Sequence, residues 1–266
     1  MVDSADNLAT SVAKLSNLLL LHVIPLFNIR PGKRPDLIGS SLLVASGTNR
    51  FLVSARHVID KITEPGGLHY YIEPGMLHKL YGTVLRTIPL PGQSELDPYD
   101  LAIILLSSEA KAPANAVWKT PLNISSLRRG KLPRTRKQYL VVGFPASRSK
   151  ANPHNRRLKS ESSGFRVISA NRAAYESLGL SEQEHLVLNL DIENMIFPDG
   201  SIRRIPDPHG MSGAPVWMLF DEDGCNDVDT TPTVGIVIEY HKKSNLLVAT
   251  DIGVALDLIA QSLHVA

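Results

Sequence analysis

Three short stretches carry the residue types that hydrolytic chemistry uses: an imidazole, a carboxylate and a hydroxyl flanked by glycines. In SARHVID, Ser54 to Asp60, His57 follows the apolar run Phe51 to Val53, which places an imidazole at the end of a strand. Taken alone, a histidine is more often structural than catalytic, and the chain has nine of them. In DPYDLAIILL, Asp97 to Leu106, Asp100 directly precedes a strand apolar enough to be buried on both faces. Its carboxylate is then partly desolvated and needs a donor, a role that an imidazole Nδ1–H fills; a turn aspartate is the plainer reading, with Asp97 the more obvious turn residue. In DPHGMSGAPVW, Asp207 to Trp217, Gly210 and Gly213 bracket Ser212. Such a backbone is free to turn the N–H groups of Gly210 and Ser212 into one cavity as an oxyanion hole. Each oxyanion-hole donor stabilises a transition state by roughly 2.7–4 kcal/mol, although a glycine-rich hairpin needs the same residues.

The order His57, Asp100, Ser212, each at the edge of a predicted strand, resembles that of the chymotrypsin/trypsin-like serine proteases. The resemblance runs from about Gly39 to Asp257 through GSSLLVASGTNRFLVSARHVID, DLAIILL, YLVVGFP, HGMSGAPVW and TVGIVIEY. It is most similar to the cysteine-poor, intracellular microbial branch. The resemblance implies that Ser212 is the nucleophile, that His57 is the general base and then general acid, and that Asp100 orients His57 and stabilises its imidazolium. The oxyanion would sit on the amides of Gly210 and Ser212. The implied substrate is a protein or peptide, and no cofactor is implied.

Several positions depart from that pattern. Arg56 and Val58 stand where secreted members carry Ala and Cys around the histidine, and Arg56 calls for solvent or an acidic neighbour. Met211 stands where members activated by a newly cut N-terminus carry Asp, so activation by insertion is not expected; Ala214 replaces a glycine. By the resemblance, the strand Val237, Ile238, Glu239, Tyr240 lines the substrate cleft and Pro206 lies near the pocket floor. Glu239 and Tyr240 replace small residues, which predicts a shallow pocket for a small or uncharged side chain.

The elements that must position these groups read as an all-β protein of two antiparallel barrels. Short runs rich in Val, Ile and Leu, broken by Gly, Pro, Asn and Asp, predict strands at 40–45, 51–54, 81–88, 101–106, 138–143, 165–169, 185–191, 213–219, 233–240 and 246–250. A short helix is predicted at Ala173 to Leu178, stopped by Gly179. A closing helix over Val254 to His264 has Leu256, Ile259 and Leu263 on one stripe. Leu8, Val12, Leu15, Leu19 and His22 fall at helical spacing behind Ser4 as N-cap. The predicted organisation is a helical extension over 1–34, a first barrel over 35–122 with His57 and Asp100, a basic linker over 123–137, and a second barrel with the closing helix over 138–266.

At 266 residues, with 43% hydrophobic and 20% charged residues, the chain is long enough to bury a substantial core, which excludes disordered and collagen-like classes. Cys225 is the single cysteine, so no intrachain disulfide forms and a reducing compartment is expected. The apolar stretch Leu18 to Phe27 is half of the ~20 residues a bilayer span needs. No secretory signal is legible, which predicts a cytoplasmic protein without a membrane partner. The net charge of +2 hides an asymmetry: eleven Lys or Arg and no acid from Arg128 to Lys159, then sixteen acids against six bases from Glu161 onward. A solvated surface explains the basic segment, while an acidic partner such as nucleic acid is the sharper reading; no aromatic interleaving supports it.

Other functions leave weaker traces. A double-barrel homologue that binds or senses without catalysis fits the same sequence if the three groups do not assemble, and a regulatory protein partner fits either version. An α/β-hydrolase esterase using Ser212, Asp251 and His264 conflicts with Ala214, with Pro215 and with the missing strand–helix alternation. No H-E-x-x-H motif occurs, and His154, His185 and His241 lack ligand spacing, so no metal site is expected.

Overall fold

The runs Leu101–Leu106 and Pro215–Leu219 are apolar on both faces because both faces are buried. In the computed structural model, which describes residues 14–29, 34–63, 67–72, 76–89, 97–109, 119–129, 137–152, 157–193, 195–196, 202–219 and 231–265, two β units pack against each other. One face of their adjoining strands lines a barrel interior and the other lines the seam between the units.

The first unit holds β1 (Val23–Asn28), β2 (Asp36–Ser46), β3 (Asn49–Ala55), β4 (Leu68–Ile72), β5 (Met76–Lys79), β6 (Gly82–Arg86), β7 (Leu101–Leu106) and β8 (Leu122–Asn123). They form an antiparallel sheet in the order β5-β4-β1-β2-β3-β7-β6, with β8 added in parallel to β2. The sheet curls over an interior of Ile24, Leu26, Leu43, Leu52, Ala102 and Ile104. Its alternate residues Val23, Phe27, Leu42, Val53, Leu101 and Ile103 turn to the seam, following the two-residue period of a strand.

The second unit begins with β9 (Gln138–Gly143), followed by the hairpin β10 (Ser149–Asn152) and β11 (Arg157–Ser160). Then come β12 (Ser163–Ser169), β13 (His185–Asn189), the small pair β14 (Met195–Ile196) and β15 (Ile202–Arg203), β16 (Pro215–Leu219), β17 (Thr233–His241) and β18 (Leu246–Asp251). Six of these close a barrel in the order β12-β13-β18-β17-β16-β9. Tyr139 and Val141 of β9 point into it, while Leu140 and Val142 join Trp217 in the seam. The all-β pair of barrels is thus the architecture found, the first being a curled sheet with open ends among the described residues.

Helices sit where the predicted signals put them, with shifted faces. Residues 14–19 form α1, and Leu15 and Leu19 are buried in the seam. The four-residue α2 (Arg56–Ile59) carries His57. In α3 (Arg172–Leu178), Asn171 accepts from the Ala174 amide at 3.1 Å and Gly179 ends the helix at φ +65°. The closing helix α4 (Ile252–Val265) buries Ile252, Ala255, Leu258 and Ile259, whereas Leu263, expected on the inner stripe, is exposed.

Two predicted boundaries are corrected. The extension over 1–34 is not helical throughout: Val23–Asn28 is a strand between β2 and β4. A short apolar run carries no period that separates strand from helix, and Pro25 is tolerated because β4 pairs only with Leu26 to Asn28. Ser4, Leu8 and Val12 lie outside the described residues. The linker over 123–137 is built into the fold at its start, where Leu127 is buried and the Arg128 amide donates to Thr233 O at 2.9 Å. Arg129 pairs with Asp257 of α4, whose carboxylate holds the guanidinium pKa above its usual value. Lys131, Arg134, Arg136, His154, Arg156 and Cys225 lie outside the described residues.

Candidate active site

His57 reaches the seam because β3 ends at Ala55 and α2 turns the chain at once. Asp100 arrives there from the start of β7, the strand paired with β3. Asp100 has φ +41°, a left-handed conformation that costs a non-glycine residue energy and needs outside support. The contacts it makes explain that shape. Its Oδ2 lies 2.5 Å from His57 Nδ1 and its Oδ1 accepts from the His57 amide at 3.0 Å, while its carbonyl accepts from the Arg56 amide at 2.7 Å. A carboxylate accepts only, so Nδ1 carries the proton and Nε2 is left as the basic nitrogen. The side chains are 50% and 25% exposed, so the pair is reachable from the cleft.

Ser212 sits in the tight loop before β16. Pro208 O accepts from Met211, Val237 O from Gly213 and Met211 O from Ala214 at 2.7–2.8 Å, and Asp207 Oδ1 accepts from His209 at 2.9 Å. From His209 to Ala214, therefore, only the Gly210 and Ser212 amides have no acceptor among the described residues. Gly210 and Gly213 have φ of +89° and +86°, and a Cβ on Gly213 would overlap Ser40 O and the Ser54 hydroxyl. Met211 is buried, with its thioether packed against Gly143, so an apolar anchor stands where an acid was missing from the pattern.

One cleft of about 840 Å³ brings His57, Asp100, Gly210 and Ser212 together with Ile238, Glu239 and Tyr240. Pro206 and Val237 are not among its lining residues. Val237 is buried in the barrel interior, and both of its backbone groups are bonded to the Ser212 loop. The Ser212 hydroxyl donates to Ile238 O at 3.4 Å, a long bond, and makes no hydrogen bond to His57. The Tyr240 hydroxyl lies 3.1 Å from Asn245 Oδ1; burial, then the carboxylates of Asp207, Asp191 and Glu193, push its pKa up. Asp251 and His264 do not line this cleft: Asp251 caps Gly253 of α4 at 2.7 Å, and His264 is exposed in the last turn.

Sequence reasoning missed several supports. Ser40, fully buried in β2, donates to Gly210 O at 3.2 Å and accepts from the Phe144 amide at 3.0 Å; Ser54 donates to Ser40 O at 2.7 Å. A legible signal was small hydroxyls inside otherwise apolar strands. Arg56 finds acidic neighbours, donating to Asp97 at 3.3 Å and Asp60 at 3.4 Å as well as to Thr87 O at 2.9 Å. Thr87 also bonds Asp97 and the Leu101 amide, which ties the loop before β7 to β6.

No family model and no curated protein matches the sequence. Among solved structures, the chain is similar to mouse neuropsin, described as a serine protease expressed in the limbic system of mouse brain. That similarity has a TM-score of 0.56 at 15% identity and covers 91% of this chain and 94% of that one. The likeness defines the fold as a chymotrypsin-like double barrel. No helix among the described residues is long and apolar enough to cross a membrane.

Proposed function

We propose that this chain is a serine endopeptidase that cleaves peptide bonds through an acyl-enzyme on Ser212. The observation that carries the reading is the convergence of His57, Asp100 and Ser212, from separate strands, on one cleft that also holds two unclaimed amides. A serine hydroxyl is a poor nucleophile until a base takes its proton. In the reaction the Ser212 hydroxyl leaves Ile238 O for His57 Nε2, attacks the substrate carbonyl, and passes its proton through His57 to the leaving amine. Asp100 holds the imidazole in the tautomer with Nε2 free and stabilises the imidazolium. The Gly210 and Ser212 amides stabilise the tetrahedral oxyanion.

The substrate lies extended along β17. Pairing with β16 stops at Ile236, so the Ile238 to Tyr240 edge faces the cleft and is open to main-chain bonding by a peptide. Tyr240, tied to Asn245, walls the primary pocket, and the carboxylates around it disfavour an acidic residue. A small, uncharged side chain is the expected preference, with an intracellular protein as substrate in keeping with the single cysteine. A peptide library tests this: a strong preference for bulky aromatic residues would overturn it.

A fluorophosphonate probe tests the chemistry itself. The parent chain is expected to be labelled and Ser212→Ala is not. Absence of labelling in a folded parent would show a binding module of the same fold, in which Ser212 keeps its bond to Ile238 O.

A further inference from the structure

The segment Pro98, Tyr99, Asp100 belongs to the first barrel, yet the second barrel grips most of it. His185 and Thr250 are cross-strand partners on β13 and β18, at the end of the closed barrel facing this segment. Both are buried, at 2% and 0% exposure. His185 Nε2 lies 2.8 Å from Pro98 O; a carbonyl only accepts, so that nitrogen carries the proton. Thr250 Oγ1 donates to Tyr99 O at 2.6 Å. The Tyr99 ring stacks on the His185 ring, with centroids 6.1 Å apart and planes 5° from parallel, and its hydroxyl donates to Glu184 at 2.7 Å. With the Arg56 amide on Asp100 O, three consecutive carbonyls are taken, two of them by the barrel that carries Ser212.

We infer that His185 and Thr250 are positioning residues: they lock the main chain ahead of Asp100, and so aim a first-barrel carboxylate at His57 from the second barrel. A left-handed Asp100 persists only if its surroundings over-determine it. These two residues supply that constraint from the second barrel. A further consequence is that the carboxylate is aimed only when the barrels are docked, so the site assembles as one event. The kinetic part of this inference rests on the peptidase reading; its spectroscopic part does not.

The test uses the full chain. The His57 Nδ1–H bonded to Asp100 gives a far-downfield proton resonance, assigned by its loss in Asp100→Asn. In Thr250→Val that resonance is expected to shift or broaden, and kcat to fall by up to roughly 100-fold with KM little changed, the cost of a misplaced reacting group. His185→Leu is expected to behave alike. His185→Gln, whose amide N–H reaches Pro98 O, is expected to recover most of the loss, which a purely packing role would not give. Parental kcat and resonance in folded Thr250→Val and His185→Leu would overturn the inference, as would equal impairment of the Gln and Leu forms. Should Thr250→Val or His185→Leu fail to fold, Thr250→Ala, which removes the hydroxyl on Tyr99 O without adding bulk, is expected to lower kcat at unchanged KM and broaden the resonance; parental values there would equally overturn it. A parent that cleaves nothing and takes no probe sinks the peptidase reading, while the resonance in the variants still decides the clasp.

Discussion

The two barrels hold their shares of the cleft by different means. The first, an open curled sheet, presents His57 and Asp100 through side-chain charge: a carboxylate on an imidazole, and behind it Arg56, Asp97 and Thr87 in one network. The second, a closed barrel, presents Ser212 through main-chain geometry: two left-handed glycines, three short amide–carbonyl bonds and a buried methionine. Side-chain pairing leaves the imidazole half exposed and able to exchange a proton. Backbone shaping leaves the amides fixed and cannot be adjusted residue by residue. On the peptidase reading proposed above, the imidazole must change its protonation state during the reaction, whereas an oxyanion site works by not moving.

That contrast can be broken at the serine, where the largest effect is expected. Ser212→Ala removes one oxygen and leaves the loop intact, so turnover in a peptide-release assay is expected to fall roughly 10⁶-fold with an unchanged melting temperature. On the first barrel, Asp100→Asn keeps the shape of the pair but favours the wrong tautomer of His57. A fall of about 10⁴-fold in kcat is expected, and wild-type turnover in that variant would refute the side-chain half of the comparison.

Gly213→Ala tests the main-chain half. The new Cβ has no room beside Ser40 O and Ser54, and φ +86° strains any L side chain. Denaturant unfolding is expected to show a loss of about 3 kcal/mol or more, the mark of a strained, overpacked site. Ser40→Ala sharpens the same point at smaller scale. It leaves the Phe144 amide and Gly210 O without their buried hydroxyl, and should cost about 1–3 kcal/mol by the same measurement.

The smallest effect is expected at Tyr99, on the boundary between the two regions. Its bond to Glu184, then burial, push its phenol up to about 12 from the usual 10. A raised folded-state pKa stabilises the fold fully below pH 10 and loses that contribution as pH rises toward 12. Tyr99→Phe should therefore flatten the alkaline decline of melting temperature in that window and leave stability near neutrality within about 1 kcal/mol.

Much of this was legible along the chain. Alternating or continuous apolar runs marked β2, β3, β7, β9, β13, β16, β17 and β18, and Gly179 marked the end of α3, because these signals are local. His57, Asp100 and Ser212 stood out by residue type beside strand ends. The strand at Val23–Asn28 was hidden because its apolar run fits a helix as well, and the inner face of α4 was misjudged by one stripe because the seam it packs on is non-local. Val237 was placed in the cleft because the resemblance assigns the whole run 237–240 to it. It is buried in the barrel interior, with the register of β17 shifting just beyond it between Val237 and Glu239, and no residue type announces such a bulge.

By itself the sequence determined the strands, the glycines that let a loop turn left-handed, and the residue types of His57, Asp100 and Ser212. Propensity, period and functional-group chemistry reside in single residues and their near neighbours. Only the tertiary structure decided that Asp100 meets His57 at 2.5 Å, that Ser40 braces the Ser212 loop, and that His185 and Thr250 reach across the seam to Pro98 and Tyr99. Those bonds join residues as many as 170 positions apart, and their geometry is fixed by how two barrels dock rather than by any segment alone.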